Sequence, residues 1–208
     1  MTAFLGRPET DVARVAAMTT LGNGLLLADH HEDALPVYEA ELSMWRRFGF
    51  GVDEKALLIT KTNIALCYYR LGRHEEALDL RRQVYARGVA LGISNKDLFI
   101  DVLNLSWSLN ETGRYTEAKS FLREQLPKAR RVLGVDHDTV IQMRWQHAET
   151  LRLDGDASRE DLVEAVTVLE ELSRKTQRIY GTSHPLPTDI RTTLGLARKK
   201  LAAFDTSK

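Results

Sequence analysis

Residues 63–77 read NIALCYYRLGRHEEA, and this stretch decides the fold. Apolar side chains recur three and four positions apart from Ile64 to Leu71, which is the spacing of one face of an α-helix. Gly72 is a helix-ending residue. The acidic residues that follow it favour the start of a second helix, because they lie near its positive N-terminal end. The stretch therefore predicts two helices joined by a tight turn at Gly72.

The same arrangement returns at residues 104–118, which read NLSWSLNETGRYTEA. In both copies a small residue is followed seven positions later by a turn residue and five positions after that by alanine. Two helices approach closely only where side chains are small, so the two small residues are expected to face each other. In the N-terminal unit the turn position is taken by Asp29, and aspartate tolerates a left-handed backbone. The rule covers the leading glycines Gly51, Gly92, Gly134 and Gly181; the small residues Gly22, Ala65, Ser106, Ala148 and Gly195; the turn residues Asp29, Gly72, Gly113 and Gly155; and the alanines Ala34, Ala77, Ala118 and Ala165, the last delayed by five positions.

The repeats predict an all-α chain, because alternating β-branched segments and Asn-Gly hairpins between apolar runs are nearly absent. A single hairpin cannot bury its apolar face alone, so successive hairpins must stack. The predicted units are 6–50, 51–91, 92–133 and 134–180, followed by a capping helix at 181–204, all in one domain spanning 1–208. The helices are predicted at about 9–28, 31–48, 53–71, 74–90, 95–112, 115–133, 137–154, 160–180 and 186–204.

Composition excludes several classes of function. Apolar residues make up 43% of the chain, which is enough to form a core, and 29 basic residues balance 29 acidic ones. A net charge of zero argues against nucleic acid or anionic lipid as a partner. The single cysteine, Cys67, allows no internal disulfide and fits a reducing compartment. No apolar run approaches the roughly 20 residues of a membrane span, and the N-terminus does not read as a signal peptide. A cytoplasmic protein is expected.

Two further motifs identify a family resemblance. The segment GVDHD at 134–138 and the segment GTSHP at 181–185 are similar to the turn of kinesin-light-chain-type tetratricopeptide repeats (TPRs), as are the stretches at 63–77 and 104–118. The resemblance implies a right-handed superhelical solenoid of antiparallel helix pairs, with about four TPR units and a C-terminal capping helix. Three features depart from the family: Arg81 replaces an aromatic residue or leucine, Pro127 should kink its helix, and residues 156–162 lengthen a turn. Lys199 and Lys200 suggest a solvated face on the last helix.

The resemblance also implies a concave groove lined by the first helix of each unit, which holds a peptide or protein segment. Amides can pair with a peptide backbone of any sequence, and exposed aromatic rings are typical anchors. The residues expected in the groove are Asn23, Asn63, Leu66, Tyr69, Arg70, Asn104, Trp107, Asn110, Trp145, Gln146, Glu149 and Arg152.

Other kinds of site have weaker support. A clamp for a chain-terminal carboxylate would need cations where Thr19, Ile100 and Asn104 stand. His137 and His184 are expected to hold their turns by hydrogen bonds. His31 and His74 occupy turn positions, His147 has no carboxylate at ligand spacing, and Cys67 reads as a core residue. No phosphate loop or catalytic motif occurs, so no cofactor, metal or enzymatic activity is expected.

The sequence therefore predicts an adaptor or scaffold that binds a protein or peptide in the groove, with an affinity on the order of micromolar. A monomer is favoured. Two alternatives stay open. The chain could be a scaffold that assembles through its ends or convex face, or it could be a regulatory repeat segment of a larger signalling protein.

Overall fold

The computed structural model describes residues 12–47, 53–181 and 184–206. Gly51 and residues 182–183 of the GTSHP motif lie outside the described residues. All regular secondary structure within these ranges is helical, which confirms the all-α prediction. Apart from the predicted start at residue 9, which is not described, every predicted helix boundary agrees to within two residues. The helices are α1 (Val12–Leu27), α2 (His31–Arg47), α3 (Glu54–Arg70), α4 (His74–Ala90), α5 (Asn95–Glu111), α6 (Tyr115–Leu133), α7 (Asp138–Leu153), α8 (Arg159–Tyr180) and α9 (Pro185–Thr206).

The helices pair as antiparallel neighbours and form two compact units. The N-terminal unit, Met1–Ile93, contains the hairpins α1–α2 and α3–α4. The C-terminal unit, Ser94–Lys208, contains the hairpins α5–α6 and α7–α8, with α9 packed against both α8 and α7. Within each hairpin the first helix is α1, α3, α5 or α7, and α9 corresponds to a first helix.

The tight turns use the left-handed backbone that the spacing rule requires. Gly72 and Gly113 have φ angles of 74° and 71°, and Asp29 adopts the same conformation at 64°. The substitution of aspartate for glycine is therefore tolerated as predicted. Gly155 does not have a positive φ, and the prediction for it is wrong. The inserted residues turn the chain differently there, with Ser158 capping α8 through a reciprocal capping box with Asp161.

Small residues close the hairpins. Gly22 is buried, and a Cβ placed on it would lie only 2.6 Å from Cζ of the Tyr38 ring on α2. Ala65, Ser106 and Ala148 occupy the equivalent position and are fully buried. Gly195 differs, because it is exposed and a Cβ there would meet nothing within 4 Å. Gly195 is therefore not at a close approach between two of the described helices.

Polar side chains tie helices together inside each unit. In the N-terminal unit, buried Glu41 Oε1 accepts hydrogen bonds from Thr19 Oγ1 at 2.9 Å and Thr60 Oγ1 at 2.8 Å, which joins α1, α2 and α3. In the C-terminal unit, the amide of Asn110 on α5 pairs with Thr150 Oγ1 on α7 at 3.0 Å. Buried polar groups are costly unless bonded, so these contacts help to fix how the hairpins stack.

Arg81 lies inside the N-terminal unit, where the equivalent positions carry Tyr38, Leu122 and Leu169. Its side chain is buried, and its guanidinium lies 5.3 Å from the centre of the Tyr69 ring. This distance is within the range of a cation–π contact. An aromatic partner on α3 therefore accommodates the arginine where the family has an apolar residue.

The sequence predicts a solvated face at Lys199 and Lys200 of α9, and the structure differs at Lys200. Lys199 is exposed, but Lys200 Nζ donates hydrogen bonds to the main-chain oxygens of Arg152 at 2.6 Å and Asp154 at 2.5 Å. These oxygens belong to the C-terminal end of α7, where the helix dipole favours a cation. Lys200 is thus a cap for α7, and burial lowers the pKa of its ammonium group. At Pro127, α6 continues without interruption.

Candidate protein-binding face

The first helix α5 carries a stripe of exposed side chains. Ile100, Trp107 and Glu111 lie seven and four positions apart, so they share one face of the helix. Ile100 is 50% exposed and Trp107 is 40% exposed, so the stripe offers apolar surface to solvent. Asn104 lies beside this stripe and is half-buried. We call this surface the first-helix face of the C-terminal unit.

Helix α7 continues the first-helix face of that unit. Arg152 donates two hydrogen bonds to the Glu149 carboxylate, at 2.7 and 2.5 Å, and both side chains are partly exposed. The bond to Glu149 raises the pKa of Arg152, which is therefore charged throughout the physiological range. Trp145 is half-buried, and its Nε1 donates to Thr193 Oγ1 on α9 at 3.1 Å. The exposed part of α7 is thus a charged pair beside the edge of an aromatic ring.

Two of the predicted groove residues lie inside the C-terminal unit instead. Asn110 is 6% exposed and is bonded to Thr150, and Gln146 is 5% exposed. Gln146 lies two positions before the small residue, which places it about 160° around the helix from that residue. The structure therefore gives Asn110 an internal role in the packing of α5 against α7, and it buries Gln146.

The N-terminal unit has an equivalent first-helix face on α1 and α3. Asn63 Nδ2 donates to Asn23 Oδ1 at 3.4 Å, so the structure brings these two amides together. Asn23 Oδ1 also accepts a bond from the buried Tyr38 hydroxyl at 2.7 Å. Leu66 and Tyr69 are half-buried on α3, and Arg70 is exposed. The face combines paired amides with apolar and aromatic surface.

Sequence reasoning missed two residues on these faces. Ile59 on α3 is 58% exposed and occupies the same repeat position as Ile100 on α5, six residues before the small residue. The available signal was an isoleucine at an equivalent position in two successive units. Six residues place it about 120° around the helix from the buried small residue, on the solvent side.

The histidines and the cysteine have structural partners. Nδ1 of His137 and Nδ1 of His184 each accept a backbone N–H at 3.2 Å, from Thr139 and Leu186, which confirms their turn role. His147 does have a carboxylate partner, contrary to the prediction. Its Nε2 lies 3.1 Å from Glu164 Oε1, which α8 brings close across the hairpin. Burial lowers the pKa of His147 despite that contact.

Cys67 is fully buried in the core of the N-terminal unit, as predicted. Burial raises the pKa of its thiol to about 11, so it is a poor nucleophile. Residues 12–47, 53–181 and 184–206 contain no group of three or more histidine, cysteine or acidic side chains that could hold a metal ion. Nor does any helix in those ranges have the length and apolarity required to cross a bilayer.

Comparison with known protein families agrees with the repeated helical hairpins of the structure. The tetratricopeptide repeat family matches residues 14–87, and a second description of the same repeat matches residues 103–138. No curated protein sequence matches the chain.

Solved structures with a similar fold include a kinesin light chain of Podosopora anserina with nearly identical TPR-like repeats. It is 17% identical with a TM-score of 0.73, covering 91% of this chain and 87% of that one. BtubC (BKLC) from P. vanneervenii is 18% identical with a TM-score of 0.73, covering 94% and 77%. YrrB, a TPR protein with an unusual peptide-binding site, is 15% identical with a TM-score of 0.51, covering 100% and 97%.

Proposed function

The chain belongs to the tetratricopeptide repeat family, in its kinesin-light-chain-like form, and on that premise we propose that it binds an extended segment of a partner protein along the first-helix face of its C-terminal unit. Repeats of this family are generally modules for protein–protein interaction and scaffolding rather than enzymes. The first-helix face of the C-terminal unit carries the side chains that would contact the segment.

One observation carries the proposal. Large apolar side chains are exposed at equivalent positions of the repeat, Ile59 on α3 and Ile100 on α5. Trp107 is exposed about two turns after Ile100 on the same face of α5. Such exposure costs free energy in an isolated protein, whereas a partner that covers the side chains recovers about 25 cal/mol per Å² of buried apolar area. Aromatic anchors surrounded by polar groups are the usual source of affinity in protein interfaces.

Polar groups beside these anchors would set the direction of the bound segment. On α7 the Glu149–Arg152 pair presents one charge of each sign. A peptide backbone, with both donors and acceptors, matches this mixture better than a ligand of a single charge.

The test compares matched exposed residues on first and second helices. A peptide selected from a random library against the intact chain is titrated against wild type, Trp107→Ala, Ile100→Ser and Ile179→Ser. Ile179 is a suitable control because it is 45% exposed, close to the 50% of Ile100, but lies on the second helix α8.

We expect Trp107→Ala and Ile100→Ser each to weaken binding about tenfold, or about 1.4 kcal/mol, with Ile179→Ser within about twofold of wild type. Circular dichroism of each variant checks that the helices are retained. Equal losses of affinity for Ile100→Ser and Ile179→Ser, or no loss for Trp107→Ala, would show that the first-helix face is not the binding surface.

A further inference from the structure

A second surface lies away from the first-helix faces, between the second helices of the N-terminal unit. A cleft of about 480 Å³ lies between α2 and α4, with α3 beneath it. Its floor is apolar: Leu42 and Ile64 are buried, and Leu80 and Tyr68 pack against the same core. We call it the N-terminal cleft. Its volume exceeds that of a single side chain, so it can receive several residues of another molecule.

The rim of the N-terminal cleft is acidic. Glu39, Glu76 and Asp79 stand against Arg46, which lines the cleft, and Arg73, which pairs with Glu76. Glu76 accepts two hydrogen bonds from Arg73, at 2.6 and 2.5 Å, which lowers the pKa of Glu76 and neutralises its charge locally. The carboxylates of Glu39 and Asp79 form no ion pair with any described residue.

The same rim already shows how a cation is held there. The Arg73 guanidinium lies 4.2 Å from the centre of the Tyr68 ring while it pairs with Glu76. Stacking on an aromatic ring combined with a two-point carboxylate contact is a favourable arrangement for a guanidinium. The hydroxyl of Tyr68 donates to Glu39 at 3.3 Å, which holds that carboxylate at the edge of the ring.

The C-terminal unit offers a comparison within the same molecule. Its equivalent cleft, between α6 and α8 over α7, has a volume of about 210 Å³ and is lined by Arg123, Arg130 and Arg144. Arg123 follows Leu122 as Glu39 follows Tyr38, so the charge at this position is reversed between the units. Both clefts are depressions, so the clefts of two copies of the chain cannot fill one another.

We propose that the N-terminal cleft binds a basic, amphipathic segment of a partner protein, whose apolar side chains cover the floor while its cations meet Glu39 and Asp79. This contact is separate from a segment on the first-helix face of the C-terminal unit, because every residue that lines the cleft belongs to the N-terminal unit. The chain would then join two segments at once, which is what a scaffold requires.

The probe is a fluorescein-labelled peptide of about 16 residues, or about four helical turns, with leucines on one face and lysines on the other. The matched comparison is Asp79→Lys against Glu32→Lys. Both change the net charge equally, and Glu32 is an exposed residue of α2 outside the cleft. Fluorescence anisotropy gives the affinity of each variant, at low and at moderate salt.

We expect Asp79→Lys to weaken binding about tenfold and Glu32→Lys by no more than about twofold, since only the former faces the bound cations. A photo-crosslinking residue at Ser43, which lines the cleft, should capture the peptide, whereas one at Ser120 on α6 should not. Trp107→Ala should leave the affinity for this probe unchanged, which separates the proposal from the function of the first-helix faces.

Three results would each overturn the proposal. The first is an equal loss of affinity in Asp79→Lys and Glu32→Lys, which would indicate attraction to overall charge. The second is a crosslink at Ser120 as strong as that at Ser43. The third is a dimer of the chain alone, seen by sedimentation and abolished by Asp79→Lys, which would assign the cleft to self-association.

Discussion

Replacing Gly22 by alanine tests whether the α1–α2 hairpin depends on contact between a glycine and an aromatic ring. The added Cβ would lie 2.6, 2.7 and 3.0 Å from three atoms of the Tyr38 ring. Carbon atoms in proteins pack at about 3.5–4.0 Å, so the ring or the helix must move. The ring is fully buried and its hydroxyl is bonded to Asn23 at 2.7 Å, which leaves it little freedom to move.

The magnitude follows from two opposing effects. Forcing extra atoms into a packed core costs about 1–3 kcal/mol. Alanine is favoured over glycine inside a helix by about 1 kcal/mol, which offsets part of that cost. We therefore expect Gly22→Ala to lower the free energy of unfolding by about 1 kcal/mol. Gly24, two residues along the same helix, is exposed and has no atom within 4 Å of an added Cβ. Gly24→Ala should raise the free energy of unfolding by about 0.5–1 kcal/mol.

Urea unfolding followed by circular dichroism measures both variants against wild type. A difference of about 2 kcal/mol corresponds to roughly 4–8 °C in Tm for a chain of this size. A third comparison locates the cause: in a Tyr38→Leu background, Gly22→Ala should no longer destabilise. The reasoning is refuted if Gly22→Ala is as stable as Gly24→Ala, or if its effect is unchanged when the ring is absent.

Three further predictions concern charged and reactive groups. Burial, helped by the negative charge of Asp97, raises the pKa of Asp101 to about 6 from its ordinary value of 3.8, so the folded state binds a proton more tightly than the unfolded state. The stability contributed by that proton is lost as pH rises through about 6. Asp101→Asn should therefore be more stable than wild type by about 1 kcal/mol at pH 7.5, a figure that allows for partial exposure. In urea titrations this gain in stability should vanish near pH 4. Lys200→Met should lower stability by about 1–2 kcal/mol through loss of the α7 cap, whereas Lys199→Met should change it by less than about 0.5 kcal/mol, as thermal unfolding of both will show. Cys67 should react with a thiol reagent only at the rate of unfolding, and rapid modification of the native protein would contradict its burial.

The helices were predictable because their ends are marked by local chemistry. Glycine or aspartate at the turns and apolar spacing within the helices act over a few residues, and α4 and α6 have the boundaries that the sequence predicts. The failures are tertiary. Gly155 does not adopt the left-handed turn because the inserted residues turn the chain differently, and a Cβ on Gly195 would meet nothing within 4 Å.

The candidate face was less predictable because it depends on the direction of each side chain around its helix. Asn110 and Gln146 lie on the correct helices but are buried, and Asn110 is bonded to Thr150 on the neighbouring first helix. Ile59 and Ile100 point to solvent, and periodicity alone does not distinguish an exposed isoleucine from a core residue. The partnership of His147 with Glu164 joins residues far apart in the sequence, and only the packing of α7 on α8 reveals it.

The matched positions within each hairpin determine what can be exchanged when such a gene is duplicated or redesigned. The bulk of Tyr38 on α2 is accommodated by Gly22 on α1, which has no side chain. In the next hairpin the equivalent positions hold Ala65 on α3 and Arg81 on α4. A chimera that joined α3 to α2 would press a tyrosine ring against a methyl group. Recombination is therefore expected to succeed at junctions between hairpins and to fail at junctions inside them.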